Sequence, residues 1–78
     1  MRADICNSND DAAVARFRGA LHRLGAQLSE KDWAIGVDLY QLRIGEEELL
    51  VFSDEWSLDI EGSEVLVQRI LAEYEPTG

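Results

Sequence analysis

The stretch Tyr40-Gln41-Leu42-Arg43-Ile44-Gly45-Glu46-Glu47-Glu48-Leu49-Leu50-Val51-Phe52-Ser53-Asp54-Glu55-Trp56-Ser57-Leu58-Asp59-Ile60-Glu61 decides the fold. Its apolar residues recur with the period of two that belongs to a β-strand, and two turn sites, Gly45-Glu46 and Asp54-Glu55, divide it. Read as two-residue hairpin loops, these turns pair Ile44 with Glu47 and Ser53 with Trp56. Counting outward, Tyr40 faces Val51 and Val51 faces Leu58, while Leu42 faces Leu49 and Leu49 faces Ile60. All six are apolar, and side-chain alternation places all six on one face of an antiparallel meander.

The other face then carries three rows: Arg43, Glu48 and Glu61; Gln41, Leu50 and Asp59; Leu39, Phe52 and Ser57. Arg43 opposite Glu48 is a favourable cross-strand pair. The acids Glu46, Glu47 and Glu48 read as a solvated hairpin tip that keeps the sheet from sticking to others. The meander spans 33–61, with Gly36 expected as a bulge that swaps the faces of Trp33, Ile35 and Val37.

Helical signals flank the meander. Over 9–28, Val14, Phe17, Leu21, Leu24 and Leu28 step by three and four and line one face. Ser8 or Asn9 is the expected N-cap, Asp10 and Asp11 suit the helix dipole, and Gly25 is a stop signal after which Ala26 to Leu28 can start an extra strand. Over 63–75, Ser63 caps a second helix, Leu66, Val67, Ile70, Leu71 and Tyr74 share one side, and Pro76 ends it. The expected fold is α+β: a two-layer sandwich in the order α-β-β-β-α, with three or four antiparallel strands and both helices on one face. Residues 1–78 form a single domain, and residues 1–8 are expected to fray.

Size and charge narrow the function. The chain has 78 residues, 7 Lys+Arg against 16 Asp+Glu and a net charge of −9, which argues against binding nucleic acid or an anionic membrane. The imbalance is concentrated beyond residue 28, since Arg2, Arg16, Arg18 and Arg23 outnumber Asp4, Asp10 and Asp11 before it. At 46% hydrophobic residues the chain can build a core. The single cysteine, Cys6, cannot support a disulfide scaffold. Met1-Arg2-Ala3-Asp4 lacks the apolar run of a signal peptide, so the expected setting is the reducing cytoplasm.

The inventory of chemistry-bearing residues is thin. Cys6 and the lone histidine, His22, lie far apart in sequence with no third group to orient them, and no serine sits in a nucleophile elbow. The six glycines are scattered singly, which excludes the known phosphate loops. One Cys and one His cannot build a structural zinc site. Ser57 to Gln68 only loosely resembles a calcium loop, with Gln68 where a glutamate belongs and Glu64 where a hydrophobe belongs. Asp54 with Glu55, or Asp59 with Glu61, would need a cleft and burial for acid–base work. No catalytic residue, cofactor or metal is expected.

What remains is surface. Leu39, Leu50 and Phe52, ringed by Glu48, Glu61, Asp59 and Asp38, form an apolar strip in an acidic surround, the pattern of a partner-binding face, and Arg43 beside Glu48 is counted with it. Trp33 and Trp56, near strand ends, are core-edge residues or interface anchors. The reading is a small acidic protein-interaction domain, with an inhibitor, immunity, antitoxin or accessory-subunit role. It docks a basic protein, including one whose own substrate is nucleic acid and whose binding site the acids imitate. The competing readings are a carboxylate enzyme or small-ligand binder assembled at a dimer interface, and a structural homodimer. The expected state in isolation is a monomer or weak homodimer.

Overall fold

The computed structural model describes residues 1–34 and 36–74. Among these, the chain forms β1 (Arg2–Asn7), α1 (Asp11–Arg23), β2 (Gln27–Ala34), β3 (Val37–Ile44), β4 (Glu47–Asp54), β5 (Ser57–Glu61) and α2 (Glu64–Tyr74). The strands make one antiparallel sheet in the order β1-β5-β4-β3-β2. The α+β class is as read from the sequence, but the sheet has five strands among the described residues where three or four were expected.

The first correction is at the N-terminus, which does not fray. Residues 2–7 form an edge strand on β5, from Arg2 opposite Glu61 to Asn7 opposite Ser57. Its start is tied down twice: the Met1 ammonium donates to the Gly62 carbonyl at 2.8 Å, and the Gly62 N–H donates to the Met1 carbonyl at 3.0 Å. Backbone pairing of this kind satisfies groups that a free terminus would leave to water.

The second correction concerns α1, which ends at Arg23 instead of running to 28. The Gly25 N–H donates to His22 and the Ala26 N–H to Leu21, both through carbonyls, and Gly25 has φ +76. This is the Schellman stop, and glycine takes its left-handed backbone without strain. Residues 27–34 are thereby released to form a full edge strand. The N-cap is Asp10, not Ser8 or Asn9: its Oδ1 accepts the Ala13 N–H at 3.1 Å. The buried stripe is Ala13, Phe17 and Ala20, while Val14, Leu21 and Leu24 are half-buried and Leu28, on β2, is 60% exposed. Small alanines let the helix approach closely and turn Val14 and Leu21 toward its flank.

The β3–β4 register is as read, with Tyr40 opposite Val51, Leu42 opposite Leu49 and Ile44 opposite Glu47. The β4–β5 register is two residues off: Ser53 faces Leu58 and Val51 faces Ile60. The cause is Asp54, whose Oδ1 accepts the N–H groups of Trp56 at 2.8 Å and Ser57 at 2.6 Å and so builds a wider turn than a two-residue loop. A slip of two residues keeps every side chain on its face, where a slip of one would have inverted the strand. Gly36 is not a bulge. It lies at φ +79 in the turn between Ala34 and Val37, which pair with each other; the bulges fall between Leu28 and Glu30 and between Asp4 and Cys6. The facing of Trp33 and Ile35 and the stop at Pro76 lie outside the described residues.

Ser63 caps α2 as expected, its Oγ accepting the Leu66 N–H at 3.2 Å. Leu66, Val67, Ile70 and Tyr74 from this helix join the α1 stripe and Ile44, Leu49, Val51, Leu58 and Ile60 from the sheet in one core. Both helices therefore cover the same face, and Phe17 meets Tyr74 edge-on at 6.5 Å. No helix among the described residues is long and apolar enough to cross a membrane.

Leu49 is fully buried at the centre of this core. Leu49→Ala is expected to cost about 2–5 kcal/mol of unfolding free energy, and Gln41→Ala on the opposite face within about 0.5 kcal/mol of nothing. Urea titration of the variants measures both, and a loss from Leu50→Ala as large as that from Leu49→Ala would reverse the two faces.

Candidate functional site

Among the described residues no helix covers the second side of the sheet, here the bare face, and the strand register sets out its rows. One row runs Glu30, Gln41, Leu50, Glu61 and Arg2; the next runs Asp32, Leu39, Phe52, Asp59 and Asp4; a third holds Gln27, Arg43 and Glu48. All seven residues read from the sequence as a partner surface, Leu39, Arg43, Glu48, Leu50, Phe52, Asp59 and Glu61, lie on this one face. Their rows differ from the expected ones. The two-residue slip moves Glu61 from the Arg43–Glu48 row to that of Leu50, and Asp59 from the Leu50 row to that of Phe52. An acid therefore sits next to each apolar residue of the strip's β4 edge.

Leu39, Leu50 and Phe52 are half-buried by their neighbours in the sheet. The Arg43 Nη2 lies 3.7 Å from the Glu48 Oε1, with 58% and 67% of the two side chains exposed, so water screens most of this pair's attraction. A tighter contact comes from the N-terminal strand. Arg2 lays its guanidinium 4.4 Å from the centroid of the Phe52 ring and donates from Nη2 to the Asp59 Oδ2 at 3.1 Å. The N-terminus thus covers one end of the strip with a cation whose planar face suits an aromatic ring.

Arg2 brings Asp4 with it. Asp4 stands opposite Asp59 across the β1–β5 pair. A hydrogen bond to Asp59, which needs a proton on Asp4, together with desolvation and the charge of Asp59, raises the Asp4 carboxyl above its ordinary value. The Asp59 Oδ1 is buried and has no hydrogen-bond partner among the described residues. Asp54 shows the opposite behaviour: the backbone N–H of Ser57, then that of Trp56, hold its carboxyl below the ordinary value, with the Ser57 hydroxyl and Arg2 assisting against some desolvation. Arg2, Asp4, Glu30 and Asp32 were missed by the sequence reading. The only signal for the first two was the short polar–apolar alternation Arg2-Ala3-Asp4-Ile5.

The remaining candidates are placed as follows. Cys6 is half-buried on the helix side of β1, where desolvation pushes its thiol up against an opposing hydrogen bond with Tyr74, so the nucleophilic thiolate is disfavoured. His22 is exposed in the last turn of α1. Ser57 to Glu61 of the calcium-like segment is strand β5, and no three His, Cys, Asp or Glu side chains converge as a metal site among the described residues. Hollows among the described residues include one of about 180 Å³ between α1 and the sheet and one of about 430 Å³ beside Arg16, Arg23 and Tyr74. Comparison with protein-family models, curated proteins and solved structures finds no match to this chain.

The two shifted aspartates give opposite pH signatures. With its proton held more tightly in the folded state, Asp4 favours the fold in acid, and that contribution fades as pH rises through the raised value, leaving two facing carboxylates at neutrality. Asp54 favours the fold at neutral pH, and its contribution is lost as pH falls through its lowered value. Asp4→Asn is therefore expected to raise the melting temperature near pH 7, with the gain vanishing below about pH 4, whereas Asp54→Ala lowers it near pH 7 with a loss that shrinks in acid. Thermal unfolding across this range checks both. Glu46→Gln at the solvated hairpin tip controls for net charge, and a gain from Asp4→Asn no larger than the control's would remove the carboxylate pair from the account.

Proposed function

We propose that this chain is a small acidic protein-interaction domain that docks a basic protein partner through its bare sheet face, in the manner of an inhibitor, immunity protein, antitoxin or accessory subunit. One observation carries the reading: Leu39, Leu50 and Phe52 adjoin one another on the open side of the sheet, with Glu30, Asp32, Glu48, Asp59 and Glu61 on their own or neighbouring rows. An apolar strip of this kind supplies the desolvated centre of an interface, and the acids supply its rim. The net charge of −9 raises the encounter rate with a cationic surface. The carboxylates of this face stand on an open sheet instead of lining a cleft, and acid–base chemistry on a substrate needs a cleft. Self-pairing of the same face would set Glu48, Asp59 and Glu61 near their symmetry mates, a costly arrangement. A free thiol at Cys6 suits a reducing compartment, the cytoplasm.

The test is comparative capture from native lysate at low and physiological salt. Proteins held by the wild type are expected to be released by Phe52→Asp and by the combined Glu48→Gln, Asp59→Asn, Glu61→Gln variant, but retained by Val65→Asp at an exposed position of α2. Association of the captured protein is expected to slow as salt rises, chiefly through the on-rate. Retention that Phe52→Asp leaves untouched, or an association rate indifferent to salt, would overturn the reading.

A further inference from the structure

The helix side of the sheet carries an apolar hollow of about 180 Å³ between α1 and strands β3 to β5, filled by none of the residues whose side chains are described. Val14, Leu21, Tyr40, Leu42 and Leu58 line it, with Arg18 at its wall. Lys31 sits 5.3 Å over the Tyr40 ring at the same site, and exposed Leu28, opposite Leu42, extends the apolar surface toward the β2 edge. Arg18 and Lys31 have no carboxylate within ion-pair distance among the described residues, whereas Arg2, Arg23 and Arg43 each have one. The hollow is thus an apolar seat with the cation Arg18 in its wall and Lys31 over its Tyr40; Asp38, read from the sequence as part of the partner surface's rim, is instead opposite Ser53 on this helix side.

The same molecule carries the matching knob. Trp56 is 69% exposed at the β4–β5 turn, directly after Glu55, which is also exposed. Its backbone is held from two sides. Asp54 accepts the Trp56 and Ser57 N–H groups, the Trp56 carbonyl accepts the Ser8 N–H at 3.3 Å, and the Glu55 carbonyl accepts from the Asn9 Nδ2 at 3.2 Å. None of these bonds uses the indole. A large aromatic side chain presented to solvent on a turn already ordered is the form an interface anchor takes, because little freedom is left to lose on binding.

We infer that two copies of this chain exchange Trp56 tips, each indole entering the hollow of the other copy with Glu55 beside Arg18 and Lys31. An apolar cavity of about 150 Å³ holds benzene, so the hollow accepts the six-membered ring of an indole while the rest fills its open mouth. Knob and seat adjoin on each molecule, since Leu58 lines the hollow only two residues beyond Trp56. A two-fold axis beside the β4–β5 hairpin therefore lets the exchange close into a pair, where a one-way contact would propagate into a filament. The pairing leaves the bare sheet face open, so it is independent of the partner binding proposed above. Its small area and the net charge of −9 on each copy make the dimer a weak one.

Sedimentation equilibrium from micromolar to millimolar protein tests this, at low and high salt. The wild type is expected to shift from monomer to dimer and to stay dimeric in high salt, where the repulsion between acidic copies is screened. Trp56→Ala, which keeps every bond of the turn, is expected to remain monomeric. Glu55→Arg and Arg18→Glu are each expected to weaken the dimer, and mixing the two restores it, because each tip then meets the opposite charge at position 18. In a Trp33→Phe background, Trp56 emission moves to shorter wavelength as protein concentration rises. A wild type monomeric throughout, a dimer that survives Trp56→Ala, or one abolished by Phe52→Asp instead would overturn the inference.

Discussion

Two helices of 13 and 11 residues must cover one face of a five-stranded sheet, and the cover falls short. Five strands at ~4.8 Å spacing span about 24 Å and two helices side by side about 20–24 Å, so the pair can cover the sheet only if it sits centrally, which it does not. The helices pack against each other and toward β1, so Leu49, Ile60, Leu66 and Ile70 are sealed while Tyr40 and Leu42 are only half covered. The hollow beside α1 is where the missing width appears. Covering the second face would need a further helical layer that these elements do not supply, and an antiparallel sheet tolerates a solvated face because its backbone bonds lie in its own plane.

That shortage gives the N-terminal strand its importance. β1 adds a fifth strand to the edge at β5 and brings Arg2 across Asp59 to the Phe52 ring. The cost is local: the strand that delivers a cation to the bare face also sets Asp4 against Asp59, leaving one Asp59 oxygen without a partner among the described residues. A single arginine offsets two carboxylates only in part, and a cationic group from another protein would meet both. The bare face and the hollow are therefore different in kind. One is flat, acidic and centred on a short apolar strip, whereas the other is concave, apolar and flanked by the cations Arg18 and Lys31.

The face assignment of β3, β4 and β5 was legible because it depends on parity alone. Leu42, Leu49, Val51, Leu58 and Ile60 stay on one side whether the β4–β5 register is the expected one or the observed one two residues away. The same parity put all seven surface candidates on the opposite side. Their rows were not legible, because the turn width depends on Asp54 accepting two backbone N–H groups, and a run such as Asp54-Glu55-Trp56-Ser57 is compatible with more than one turn. On α1, Phe17 is buried as read, but its neighbours in the stripe were read one position off for a related reason. Ala13 and Ala20 carry too little apolar area to stand out beside Val14 and Leu21, yet their small size lets the helix seat closely.

What the sequence determined by itself was periodic and local: the period-two core strands, the Ser63 cap, the Gly25 stop and the acidic balance. What only the tertiary structure decided was which short segments find a partner far along the chain. Arg2–Asn7 has Ile5 as its one large aliphatic residue and no adjoining hairpin turn to announce it as a strand, and it becomes one because β5 offers an open edge and Gly62 takes both backbone groups of Met1. The hollow and the exposed Trp56 likewise belong to no single segment. They arise from how far two helices reach across five strands, and periodicity in one element carries no information about the width of another.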